Sequence, residues 1–160
     1  QPFDAVFDAV TFWAVVEHLV HPRPFLEKAE SVLKRGDYCF VLVPNFKSLA
    51  TKVLRADYRY ILPQHVNYFT AETLRALCSK YFKVEAITST HFNPIVILQD
   101  LKARRDVAET ERAQLLKRTT AWKQSGALIP VRLMYKVVEK LLARMMLADN
   151  LVAVLQKEDL

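Results

Sequence analysis

Apolar residues gather along the chain in short unbroken runs and in helical stripes. Phe7 to Phe12 is a short run rich in β-formers, and Tyr38-Cys39-Phe40-Val41-Leu42-Val43 is a longer one that Pro44-Asn45 closes. Runs of this length predict buried strands of a parallel sheet. Val84 to Thr88 reads as a further strand, with Glu85 marking an exposed side. Leu151 to Leu155 reads as another, entered from the turn signal Asp149-Asn150.

Between these runs the apolar spacing changes to that of helices. Pro22 and Pro24 mark a start, Phe25, Ala29, Val32 and Leu33 recur at helical spacing, and Lys34 and Arg35 fall where cations suit the last turn. Gly36 then stands as the helix stop. Phe46, Leu49, Val53 and Leu54 suggest a short helix, and Tyr58, Tyr60, Tyr68 and Phe69 make an aromatic-rich loop around Pro63 and His65. Thr70 is placed as an N-cap with Glu72 in the first turn, and Leu74, Leu77 and Cys78 give the buried stripe. Residues 98–124 are charged and helical, Gly126 and Pro130 break that run, and an amphipathic helix follows over 131–146. Strands alternating with helices predict an α/β fold with a mostly parallel sheet, and the strand–helix–strand unit over 7–43 is expected to be right-handed.

Composition narrows the chemistry. The chain has 160 residues, 52% hydrophobic and 25% charged, which suits a globular domain with a core. No apolar run reaches the length of a membrane span. The net charge of +6 is spread among interleaved acidic residues, so a solvated surface is expected and no nucleic acid partner. Cys39 and Cys78 form no metal motif and no disulfide framework; buried free thiols in a reducing cytoplasm are expected, and no metal site. There are only two glycines, Gly36 and Gly126, whereas loops that cradle a nucleotide need several close together.

Four segments, in order, resemble the class I S-adenosylmethionine-dependent methyltransferases. Phe7-Asp8-Ala9-Val10-Thr11 through Glu17-His18-Leu19 to His21-Pro22 looks like the family's fourth strand and Glu-His signature. Leu33-Lys34-Arg35-Gly36-Asp37, with the strand to Pro44-Asn45, is similar to the segment leading into the fifth strand, with Arg35 and Asp37 where Pro and Gly are usual. Pro63-Gln64-His65-Val66-Asn67-Tyr68-Phe69-Thr70 resembles a segment of the branch acting on small molecules and glycan-related substrates. Ala148 to Val154 looks like the seventh strand.

The resemblance implies the C-terminal part of a Rossmann-like methyltransferase sheet. The domain expectation is a single partial methyltransferase domain over residues 1–160, comprising strands four to seven, with a helical insertion at about 98–146. The glycine-rich loop and the acidic residue that holds the ribose are missing from it, so the chain is expected to be a fragment that binds S-adenosylmethionine weakly or not at all by itself. It also implies roles. Thr11, Phe12 and Trp13, just at a strand's carboxyl end, would line the cofactor; Phe12 and Trp13 read equally as core aromatics. His18 is a candidate general base, because imidazole ordinarily exchanges protons near neutrality. Glu17 and His18, expected to begin the helix after that strand, would otherwise cap and pin the local turn. His65 and Tyr68 are candidates on the loop that would cover the acceptor, against the plainer reading of His65 as a surface residue. His21 and His91 are assigned no role.

The function implied is methyl transfer to a small-molecule or glycan-related acceptor by a parent enzyme, in the cytoplasm. The alternative is a non-catalytic module that binds a protein partner through the exposed fourth strand or the 131–146 helix. Self-association into a homo-oligomer stays open.

Overall fold

The longest apolar run forms the backbone of the sheet. In the computed structural model, which describes residues 6–102 and 129–158, strand β2 spans Leu33–Pro44 and pairs in parallel with β1, Phe7–Trp13. Two further strands, β3 (Lys83–Thr90) and β4 (Asn150–Gln156), complete a sheet of order β1-β2-β4-β3. β4 runs antiparallel to both neighbours, so β1, β2 and β3 share one direction and β4 alone is reversed. The α/β fold expected from the sequence is present, but the sheet is mixed where a mostly parallel one was expected: of the three described pairings only β1–β2 is parallel.

Helix α1 (Pro22–Val32) connects β1 to β2, and α2 (Leu49–Leu54) follows β2 after a turn capped by the Ser48 hydroxyl. Helix α3 (Ala71–Cys78) precedes β3; α4 (Pro94–Lys102) and α5 (Ile129–Arg144) lie between β3 and β4. Thr70 caps α3 as expected, in a box whose reciprocal partner is Thr73. The rest of the charged helical stretch expected after residue 98, together with Gly126, lies outside the described residues. Among the described residues no helix is long and apolar enough to cross a membrane.

The core follows from alternation. Cys39, Val41 and Val43 of β2 and Leu151, Ala153 and Leu155 of β4 are fully buried, under Leu26 of α1 and Leu74 of α3. On the opposite face the intervening residues, Phe40, Leu42, Val152 and Val154, are only half-buried. Both cysteines lie in the covered layer as free thiols, and burial pushes each up to about 12.

Two expectations need correction. β1 is not a buried strand: Val10 and Phe12 pack partly on the core, Phe7 and Trp13 are exposed, and among the described residues no strand pairs with its outer edge. Helix α1 stops at Val32, not at Gly36, because Leu33 must turn extended to bury its side chain in the core. Lys34 and Arg35 therefore leave the helix, and Lys34 pairs with Asp8 on the surface. Phe7 faces Leu33 but Ala9 faces Tyr38, so β2 carries three more residues than β1 across this step. Gly36, at φ +84°, supplies the backbone turn that the irregularity needs.

Candidate active site

Two loops that leave neighbouring parallel strands meet at the carboxyl end of the sheet. After β1 the chain turns through Ala14, at φ +52°, into a short 3-10 turn over Val16–His18. Left-handed backbone costs a non-glycine residue roughly 1–2 kcal/mol, so the surroundings must hold this turn. Ala14 donates its N–H to the Leu42 carbonyl on β2, 3.0 Å away. Glu17 and His18 thus belong to this isolated turn and do not begin the following helix, which starts only at Pro22.

The second loop follows α2 and returns towards the first. Asn67 fixes the approach: its backbone N–H donates to the Glu17 carbonyl at 3.0 Å, and its side-chain amide donates to the Leu19 carbonyl at 2.6 Å. These bonds bring His65 beside His18, with ring centroids 4.6 Å apart and edges to faces. Asn67 carried no sign in the sequence beyond lying in the resembling segment, because an asparagine in a loop is ordinary. Asn45 is a second fixing residue of the same kind. Buried at the end of β2, it donates to the carbonyls of Met146 and Ala148 and forms a bridge with Phe69.

Both imidazoles are oriented by carbonyl oxygens. His18 Nδ1 lies 3.0 Å from the Gln64 carbonyl and His65 Nδ1 lies 2.8 Å from the Tyr60 carbonyl. A carbonyl can only accept, so each Nδ1 carries the proton and each neutral ring keeps its lone pair on Nε2. His65 is buried rather than a surface residue, and His18 is exposed. Glu17 is 1% exposed, and among the described residues its Oε2 has no hydrogen-bond partner. Tyr68 stands next in the group, 6.4 Å from His65 between ring centres, and its hydroxyl donates to the Leu62 carbonyl. A small cleft beside them is lined by aromatic residues, among them Phe46, Tyr58 and Tyr60.

The structure thus brings together three of the residues singled out in the sequence, His18, His65 and Tyr68. Thr11, Phe12 and Trp13 lie on β1 just before them. Phe12 packs against the core, while Thr11 and Trp13 are exposed on the strand's other side. Phe12 is half-buried, and Trp13 is 53% exposed.

This arrangement matches known folds. A sequence model described as a methyltransferase domain matches residues 1–84, a little over half of the chain. The chain belongs to the class I S-adenosylmethionine-dependent methyltransferase family. Among solved structures, a methyltransferase of Thermotoga maritima, described as a possible histamine N-methyltransferase, superposes with a TM-score of 0.55 at 15% identity. The match covers 97% of this chain and 57% of that one. A methyltransferase of Archaeoglobus fulgidus gives a TM-score of 0.52 at 20% identity, over 98% and 62% of the two chains. The likeness at these identities is one of fold, and the chain spans about three-fifths of the length of both structures. No curated protein matches it in sequence.

Thr11 and Trp13 offer an exposed surface at the carboxyl end of β1, where ligands bind in open α/β sheets. Among the described residues no glycine-rich turn follows a strand's carboxyl end. Gly36, the one glycine among the described residues, sits at the opposite end of the sheet, bonded to the chain just after β4.

Proposed function

We propose that the domain serves methyl transfer from S-adenosylmethionine to a small-molecule or glycan-related acceptor, and that this chain carries the acceptor side. The observation that carries the reading is the convergence of His18, His65 and Tyr68 beside the exposed end of β1. The cofactor, when bound, supplies a methyl group on a cationic sulfur that is open to in-line displacement.

The chain's own residues would position the acceptor and take its proton. His18 is exposed, and its Nδ1–H is committed to Gln64, so Nε2 is the atom that can accept a proton. His65 is held in the same tautomer by Tyr60 and lies against the His18 ring. Tyr68 presents its ring to Phe46 at 5.3 Å and to His65, which gives an acceptor an aromatic wall. Trp13 would flank the cofactor at the same end of the sheet. S-adenosylmethionine, cytoplasmic location and the acceptor class all belong to this proposal.

Calorimetry with S-adenosylmethionine on the full-length protein tests it, followed by detection of the demethylated cofactor, S-adenosylhomocysteine, and of the methylated acceptor. Binding is expected, and His18→Gln should lower turnover by roughly 10²–10⁴-fold with cofactor affinity unchanged. Absence of cofactor binding by the full-length protein would overturn the catalytic reading. A partner-binding module is the second reading, favoured by the outer edge of β1, which pairs with no strand among the described residues. Light scattering coupled to size exclusion separates the two, because a strict monomer argues against the module.

A further inference from the structure

We propose that Glu17, His18 and His65 form a binding site for a divalent transition-metal ion, with zinc as the reference ion. One carboxylate oxygen and one ring nitrogen of each histidine lie within 4.8 Å of one another. Among the described residues no other such group of three histidine, cysteine or acidic side chains is found. The sequence carried no metal motif because two of the ligands are adjacent and the third is 47 positions further on, joined only by the loop that Asn67 ties down.

Three observations point to a cation here rather than to three unrelated side chains. The first is Glu17. A buried carboxylate without a partner is unfavourable, and among the described residues Glu17 Oε2 is buried with no hydrogen-bond partner. A cation between the three residues would neutralise that carboxylate. The second is the pair of histidine tautomers. Each Nδ1 faces a backbone carbonyl, which fixes the ring plane and, in the neutral ring, places the lone pair on Nε2. Metal-bound histidines are held by outer partners in this way. The third is access: His18 is exposed, so an ion has an entry path, while Glu17 and His65 are buried behind it.

The donor set selects the ion class. Two imidazoles and one carboxylate suit zinc and the other divalent first-row metals, whereas calcium and magnesium prefer oxygen alone. Ligands about 2.1 Å from a tetrahedral ion stand roughly 3.4 Å from one another, so the trio, within 4.8 Å, must close by up to about 1.4 Å through side-chain rotation. Three protein ligands leave a coordination position open, as in zinc sites that bind a small molecule rather than only bracing the fold. A bound ion would take the His18 Nε2 lone pair that the proposed base uses, so ion binding is read out here by titration and not by methyl transfer.

The test is titration of the metal-free full chain with Zn²⁺ by calorimetry and with Co²⁺ by visible absorption. One ion per chain is expected, with a dissociation constant of about 1 μM or tighter. The Co²⁺ complex should show d–d bands without the near-ultraviolet thiolate charge transfer that Cys39 or Cys78 would give. His18→Gln combined with His65→Gln should weaken binding at least ~100-fold, and Glu17→Gln about 10-fold or more. Should the double variant fail to fold, Zn²⁺ should still protect histidines of the wild-type chain from diethylpyrocarbonate. No binding by the wild-type chain, a thiolate band, wild-type affinity in the folded double variant, or absence of protection would each overturn the proposal.

Discussion

The side-chain amide of Asn67 donates to the carbonyl of Leu19 across 2.6 Å, joining two loops that are 48 residues apart in sequence. The same residue uses its backbone N–H on Glu17, so the 3-10 turn and the histidine loop share one anchor. Losing a hydrogen bond of this kind costs about 1–3 kcal/mol, mostly through the carbonyl left unpaired. Asn67→Leu should therefore lower unfolding stability by that amount. It should also separate the two imidazoles, seen as loss of the cross-peak between the His18 and His65 rings in nuclear magnetic resonance. A variant that keeps this cross-peak would show that other contacts hold the loop.

Asp149 sets a pH dependence of stability. It is 6% exposed, and burial raises its carboxyl from 3.8 to about 6, against a hydrogen bond from the Asn93 N–H that pulls the other way. The folded state thus holds this proton more tightly than the unfolded state. Below about pH 4 both states are protonated and the group imposes no penalty. As pH rises towards 6 the unfolded chain ionises first and stability falls, by about 2–3 kcal/mol in all, then levels off. Asp149→Asn keeps an acceptor for Asn93 and removes the charge. Chemical denaturation across this range should show the wild-type chain losing stability relative to the variant as pH rises, and parallel curves would refute the assignment.

Lys157 ends helix α1 from the far side of the chain. Its ammonium donates to the carbonyls of Glu30 at 2.8 Å and Leu33 at 3.0 Å, and pairs with the Glu30 carboxylate at 3.1 Å. A cation on the last carbonyls of a helix satisfies acceptors that have no partner within the helix and complements its dipole. Lys157→Met should cost about 1–2 kcal/mol in urea unfolding. Lys34→Met and Arg35→Met should cost less than half as much, although both stand nearer in sequence to the helix end.

That contrast marks where the sequence was legible and where it was not. Apolar runs located all four strands to within a residue or two at most ends, because burial of one sheet face demands those residues. Thr70 was legible as a cap because capping is a local event. The end of α1 was not, since Lys34, Arg35 and Gly36 make the same local pattern in a helix stop and in the widened strand they occupy. What decides between them is the burial of Leu33 and the arrival of Lys157, 127 residues beyond Glu30. The site divides in the same way. Histidines and a tyrosine announce themselves as chemistry. The buried state of Glu17 and the bridging by Asn67 exist only once two distant loops meet.

The reversed strand β4 has a consequence for how the chain must fold. β2 and β3 are joined in the sheet only through β4, and each rung between β2 and β4 closes a loop of more than a hundred residues. Closing loops of that length is entropically slow compared with forming the β1–α1–β2 unit. The nascent chain therefore carries β2 and β3 with open edges until Asn150–Gln156 slots between them. During that interval the β1–α1–β2 unit is ready and the sheet is not, which is when mispairing with another chain competes with native closure.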